Sequence, residues 1–355
     1  MSAAQRYLTV FFVILIPTLA GLIITAIKIE PLDGPLTRMG GYAERDFGWS
    51  GQQQTLGIDD VSVPAYRDYA DVLVIGDSFS KPGLWQAYLT RNTGLSVQTL
   101  DLGKTSFSGL LQTAVFVKNP PKIVVVESVE VFFLTKFRQS NTACKTDQEQ
   151  AVFSPALEIK PKSVPFQTKE RQKTISLDNL NLNYAWVYWK KALTSRLSEQ
   201  DNSPVAHFQL TRKDLFSNRL SDQLLVYKPD LDKSFWQNQD IAAATCQLRD
   251  LQREFQANRK TVFVFVLVPD KLTAYTTFIA DKVDLPRLEL NNQLLQRGIQ
   301  APDLYRDIAQ AIAKSEQDIY LPNETHYGSR GHEIMALSLQ HYLQKLGVLK
   351  QPAKI

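Results

Sequence analysis

From Tyr7 to Ile27 the chain reads YLTVFFVILIPTLAGLIITAI, with no charged residue, and at helical rise such a run is long enough to cross the hydrocarbon core of a bilayer. It predicts a spanning helix within residues 1–29. A cleaved leader is the alternative, because Thr18-Leu19-Ala20 before Gly21 has the small-residue spelling of a cleavage site, but the apolar run continues past it to Ile27. Arg6 on one side faces Lys28, Glu30 and Asp33 on the other, a slight bias that puts the amino terminus inside. Residues from about 30 onward then lie outside the cytoplasm, as a single-pass inner-membrane protein facing the periplasm or cell exterior would have them.

Residues 30 to 68 show no sustained periodicity and read as a tether lying on the surface of the domain after it. Asp71-Val-Leu-Val-Ile-Gly76 is then a short, β-branched apolar run ended by glycine, the pattern of a buried parallel strand. Leu84 to Thr93 fits a helix, and Leu95 to Leu102, Lys122 to Glu127 and Thr261 to Val268 are further strand-like runs. Strand and helix in alternation predict an α/β fold, a three-layer sandwich around a mostly parallel sheet. The stretch from about 135 to 245 breaks this rhythm with polar sequence, Pro161, Pro165 and an aromatic cluster at Tyr184-Ala-Trp-Val-Tyr-Trp189, and reads as an insertion between core strands. From Leu285 onward helical patterns dominate, interrupted by the polar turn from Pro322 to Gly331. The organisation expected is an anchor over 1–29 and one domain over 30–350.

Of the 355 residues 44% are hydrophobic and 21% charged, a globular composition rather than a disordered one. The formal charge of +4 is spread without a basic stripe, which argues against nucleic acid as a partner. Cys144 and Cys246 are the two cysteines, and they form either one disulfide or two buried thiols. The sequence contains no metal-ligand cluster and no phosphate-binding glycine loop, so neither metal nor cofactor is expected.

The first candidate chemistry is Val74-Ile-Gly-Asp-Ser-Phe-Ser80, where a buried strand ends and the chain turns toward a helix. A serine at the carboxyl end of a parallel strand exposes its hydroxyl and leaves its own N–H free for an oxyanion. The plainer reading is that Asp77-Ser78 caps the next helix. A serine hydroxyl needs a base, and the chain offers four histidines. His207 falls in the insertion, His341 in a helical stretch, and His332 at the head of the last helix, where capping or packing explains it. His326 is left, in a polar turn beside Asn323, Glu324, Tyr327 and Gly328.

Together, Gly76-Asp77-Ser78 and Asn323-Glu-Thr-His-Tyr-Gly-Ser-Arg-Gly-His332 resemble the first and last motif blocks of the SGNH (GDSL) hydrolase superfamily. Glu324-Thr325-His326-Tyr327 is similar to the Asp-Thr-His-Trp motif of the alginate O-acetyltransferase type. Glu127-Ser-Val-Glu130 and Val268-Pro-Asp-Lys-Leu-Thr-Ala-Tyr275 look like the corresponding strand ends of that type. The chain departs from the ordinary block by having Asn323 three before the histidine and a carboxylate, Glu324, two before it. It also departs from the acetyltransferase type by placing the histidine motif after the serine.

The resemblance implies Ser78 as nucleophile, His326 as base and Glu324 as the orienting carboxylate, with Asp77, Asn323 and Glu127 supporting the site. It implies an oxyanion hole from the Ser78 N–H and Gly103, with Gly109 a less direct donor, while no Gly-x-Asn-Asp follows the third strand. It further implies transfer of an acyl group, most simply acetyl, to a cell-envelope or secreted polysaccharide, and a multi-spanning membrane acyltransferase as the source of the acetyl. A carbohydrate esterase would use the same residues on an acyl-ester substrate, and a membrane-tethered scaffold of polysaccharide assembly would keep the fold without the reaction. Trp186, Tyr188 and Trp189 suit stacking on sugar rings, although aromatic residues at helical spacing more often form core.

Overall fold

The structure, a computed structural model, describes residues 2–31, 34–49, 51, 53–58, 61–138, 156–168, 180–194, 203–280 and 290–350. Its strands are β1 (Gln54–Leu56), β2 (Val72–Gly76), β3 (Val97–Asp101), β4 (Ile123–Val129), β5 (Phe166–Thr168), β6 (Val205–Gln209), β7 (Gln223–Tyr227) and β8 (Val262–Val268). The apolar runs at β2, β3, β4 and β8 pair in parallel, in the spatial order β3-β2-β4-β8. Every residue of β2, β4 and β8 is buried, which is why these strands lack polar alternation.

Successive side chains on a strand point to opposite faces, and two separate cores result. Val72, Val74, Val125 and Val264 pack with Trp85 and Leu89 of the helix Leu84–Thr93 and with Ile334, Met335, Leu339 and Leu343 of the terminal helix Ser329–Lys345. Leu73, Ile75, Val126 and Phe265 pack on the other face with Ile241, Leu248 and Phe255 of the helix Asn238–Gln256. The chain is therefore a mixed α/β fold with helices against both faces of a four-stranded parallel sheet.

Two segments differ from the sequence expectation. Residues 34–58 do more than lie on the surface: Leu36, Phe47 and Trp49 form a buried cluster with Val205 and Leu225, and Leu56 joins the sheet core. They carry too few apolar residues to show a period, yet each one is placed inward. The interrupted stretch, in its described part, supplies β5, which pairs with β1, the helix Leu182–Thr194 and the antiparallel hairpin β6-β7. The helix that returns to the sheet starts at Asn238, so the last residues assigned to the insertion belong to the core instead.

The first helix runs from Ala3 to Lys28 and is long and apolar enough to cross a membrane. Cys246 is disulfide-bonded, and Cys144 lies outside the described residues.

Candidate active site

β2 ends at Gly76 because nothing larger fits there. A Cβ at Gly76 would sit 2.4 Å from Ser80 Oγ and 2.6 Å from Glu127 Oε2. The turn after it is strapped to β4 from both sides. Asp77 accepts from the Phe79 N–H at 3.1 Å with one oxygen and from the Val129 N–H at 2.7 Å with the other. Its own N–H donates to Glu127 Oε2 at 3.0 Å, and the Ser80 hydroxyl donates to the same oxygen at 2.6 Å. Trp85 Nε1 in turn donates to Ser80 Oγ at 3.1 Å. With Asp77, Phe79 and Ser80 all buried, Ser78 is the one residue of the turn pushed into solvent.

Ser78 is not a helix cap: the helix Leu84–Thr93 begins after Gly83, which takes the left-handed conformation (φ 71°) and offers no side chain. The Ser78 N–H has no acceptor among the described residues.

His326 comes from a loop closed by the bridge between Tyr320 and Tyr327, which precedes the terminal helix. Its Nε2 lies 2.8 Å from Ser78 Oγ, and its Nδ1 lies 2.8 Å from Glu324 Oε1. A carboxylate only accepts, so Nδ1 carries the ring proton and Nε2 faces the serine hydroxyl as acceptor. The Phe79 ring lies against the imidazole with centroids 4.8 Å apart and fixes its plane. Glu324 and His326 are each 29% exposed, so the row opens to solvent at its serine end.

Residues 248 positions apart in sequence thus form one hydrogen-bonded chain, Ser78–His326–Glu324. Searches of protein families, of curated proteins and of solved structures find no match to this chain.

The other sequence-nominated residues take different places. The Gly103 N–H is given to Asp101 Oδ1 at 2.8 Å within its own turn, and the Gly109 N–H to Ser106 Oγ at 3.2 Å, so neither is a free oxyanion donor. Asn323 is buried against Gly34, and its carbonyl accepts from the Leu36 N–H at 3.1 Å; it fastens the loop to the segment after the apolar helix and leaves orientation of the imidazole to Glu324. Asp77 and Glu127 support the turn rather than touch the histidine. Burial, with the Asp77 charge beside it, pushes the Glu127 carboxyl well above the usual carboxylate range. His207 and His341 lie away from the serine, in the β6-β7 hairpin and the terminal helix. His332 is buried edge-on to Tyr327 at 5.7 Å, and burial lowers its pKa to about 3.

Lys271 is a positioning residue that the sequence did not single out. Fully buried at the start of the short helix Lys271–Tyr275 that follows β8, it donates from Nζ to the carbonyls of Leu321, Pro322 and Glu324 at 2.8, 3.0 and 3.1 Å, holding the loop that carries Glu324 and His326. Burial pulls its pKa down to about 7 despite Asp318 and Glu324 nearby. A lone lysine after Val268-Pro-Asp270 ordinarily reads as a solvated side chain, and only its company of carbonyls shows otherwise.

Beside it, Lys233 from the inserted stretch is bonded to Glu130 after β4 at 2.8 Å, and also to Asp270 and Thr273 after β8. Burial works against its charge, but Asp270 and Glu130 outweigh it and raise its pKa. A cleft of about 630 Å³ opens here, lined by Glu130, Lys233, Pro269, Tyr305 and Arg306 among others, and none of Ser78, His326 or Glu324 lines it.

Proposed function

We propose that this protein is a membrane-anchored serine enzyme of the SGNH type, a three-layer α/β/α sandwich that transfers an acyl group through Ser78. The observation that carries the reading is the row of two 2.8 Å hydrogen bonds from Ser78 Oγ through His326 to Glu324. His326 Nε2 takes the hydroxyl proton as Ser78 Oγ attacks the acyl carbonyl, and the Ser78 N–H meets the resulting oxyanion. Collapse expels the donor's alcohol, which takes the proton back from His326 and leaves an ester on Ser78. An acceptor hydroxyl then gives its proton to His326, attacks the ester and departs acylated, restoring the serine. Glu324 stabilises the imidazolium in both halves.

The acceptor we favour is a hydroxyl of a cell-envelope or secreted polysaccharide and the group acetyl, as the Glu324-Thr-His-Tyr327 spelling suggests. A multi-spanning membrane acyltransferase would supply the acetyl, and the domain would face the periplasm or cell exterior. Hydrolysis is the competing reading, favoured by the exposure of Ser78, since water reaches the same ester. The test is acetyl release from a chromogenic acetyl ester by the full chain in detergent, with and without oligosaccharide acceptors, beside Ser78→Ala. Acetylated sugar that depends on Ser78 supports transfer, acetate alone supports the esterase, and equal inactivity of a folded wild type and variant favours a scaffold.

A further inference from the structure

The helix Leu182–Thr194 makes a set of contacts that the proposed chemistry does not use. Trp189 Nε1 donates to Thr25 Oγ1 at 2.9 Å, and its ring lies so close to Gly21 that a Cβ there would be 2.4 Å from it. Tyr184 donates to the carbonyls of Ile29 (3.3 Å) and Tyr42 (3.0 Å), and Asn181, just before the helix, donates to Glu30 at 2.9 Å. The helix therefore packs along the last turns of the apolar helix, from Gly21 to Glu30, and not against the sheet.

Gly21 and Thr25 lie inside the uncharged run that ends at Ile27. If that run crosses a bilayer, the medium around Gly21 and Thr25 is also the medium around whatever packs on them. The face of the Leu182–Thr194 helix that carries Trp189 suits such a medium along its whole length: Leu182 is 46%, Trp186 61% and Leu193 65% exposed. At 3.6 residues per turn, positions 182, 186 and 193 fall on one narrow stripe. Buried Tyr184 faces the other way, and buried Ala185 lies to one side. Leu and Trp on one face of a helix lying beside a membrane exit are what an interfacial helix requires. The Trp189–Thr25 hydrogen bond also satisfies two polar atoms at a depth where water is scarce.

We propose that the Leu182–Thr194 helix is a second membrane contact, with its Leu182–Trp186–Leu193 stripe immersed in the lipid interface beside the anchor. The inference rests on the spanning reading of Ala3–Lys28 and is independent of the chemistry at Ser78. Two-point attachment fixes the tilt of the domain. The Glu324–His326 loop is tied through Asn323 to Gly34 and Leu36, a few residues beyond the anchor, so that tilt also sets the distance of the serine from the lipid.

The test uses the full chain in vesicles of phosphatidylcholine and phosphatidylglycerol, with a polarity-sensitive fluorophore on a cysteine introduced singly as Leu193→Cys, Ile16→Cys or Val117→Cys. Ile16 is an exposed position of the apolar helix, and Val117 is exposed in the short helix leading to the amino end of β4, the sheet edge opposite Ser78. The expected result is a blue-shifted Leu193 probe that loses most of its emission to headgroup-level nitroxide lipids, an Ile16 probe quenched by mid-chain nitroxides, and a Val117 probe unaffected by either. A Leu193 probe that behaves like Val117 while Ile16 is quenched overturns the docking helix alone. An unquenched Ile16 overturns the span and the docking helix together. A blue-shifted Leu193 probe that no lipid nitroxide quenches overturns it too, since protein then covers the stripe.

Discussion

Ser78 stands in solvent because its neighbours cannot. Asp77 and Ser80 are spent on β4 and Glu127, Phe79 lies under the imidazole, and Gly76 leaves the room in which Ser80 and Glu127 meet. Burial, with the Asp77 charge beside it, raises the Glu127 pKa and favours the neutral acid, which an amide resembles. Glu127→Gln should hold the turn, whereas Glu127→Ala strands the Asp77 N–H and Ser80 hydroxyl and should cost about 1–3 kcal/mol, read as a fall in Tm and in the rate at which a fluorophosphonate labels Ser78. The folded carboxyl keeps its proton above the pH at which the unfolded one, near 4.5, loses it, so the stability this group contributes falls as pH rises above that value. The fall should be absent in Glu127→Gln, and a Tm profile of both proteins from pH 4 upward checks it.

The residues of the row were legible because their types are few: one serine at a strand end and four histidines left a short choice. Glu324 over Asn323 came from charge, and the structure puts Glu324 at Nδ1. The oxyanion side was not legible. Whether a glycine N–H is free depends on local turns, and both Gly103 and Gly109 spend theirs on a side chain two or three residues away. Lys271 was invisible for a similar reason, since its role depends on three carbonyls some fifty residues off.

At the scale of elements, the strands of the sheet were readable because burial on both faces leaves unbroken apolar runs, and β2, β4 and β8 are such runs. The inserted stretch was not, because a polar segment declares its contacts only through its partners. Its firmest tie is Lys233, ion-paired with both Glu130 and Asp270 after two different strands. Lys233→Met leaves both carboxylates buried without a cation and should cost about 3–5 kcal/mol. Adding Glu130→Gln and Asp270→Asn should recover part of it, as thermal unfolding of the full chain in detergent would show.

The terminal helix carries a pH effect of its own. The folded state holds His332 neutral down to about 3 while the unfolded chain binds a proton near 6.5, so stability is lost as pH falls across that window. His332→Asn should flatten the acid side of the Tm profile between pH 7 and 4. An unchanged slope would assign the acid sensitivity to other groups.

At the scale of the whole molecule, the apolar helix, the segment after it and the loop that carries Glu324 and His326 form one continuous path. Thr25 and Glu30 hold the Leu182–Thr194 helix, Leu36 holds Asn323, and the next residues are Glu324 to His326. The sequence separates the apolar helix, the aperiodic segment after it and the domain by their patterns; the structure joins them through single side chains that no period reveals. Activity is therefore best measured on the full chain, and a truncation near residue 30, which removes Thr25 and Gly21 from under Trp189, should lower Tm, as thermal unfolding of both forms checks.

In the proposed reaction, His326 and Glu324 make Ser78 a nucleophile. Its most direct test is the intact mass of the full chain in detergent after exposure to a fluorophosphonate, with the adduct located by peptide mapping. The expected result is one adduct, on Ser78, absent in Ser78→Ala and slowed by about three to six orders of magnitude in His326→Gln and about four in Glu324→Gln. A folded wild type that takes up no label, or labelling at Ser78 that is equally fast without His326, would contradict it.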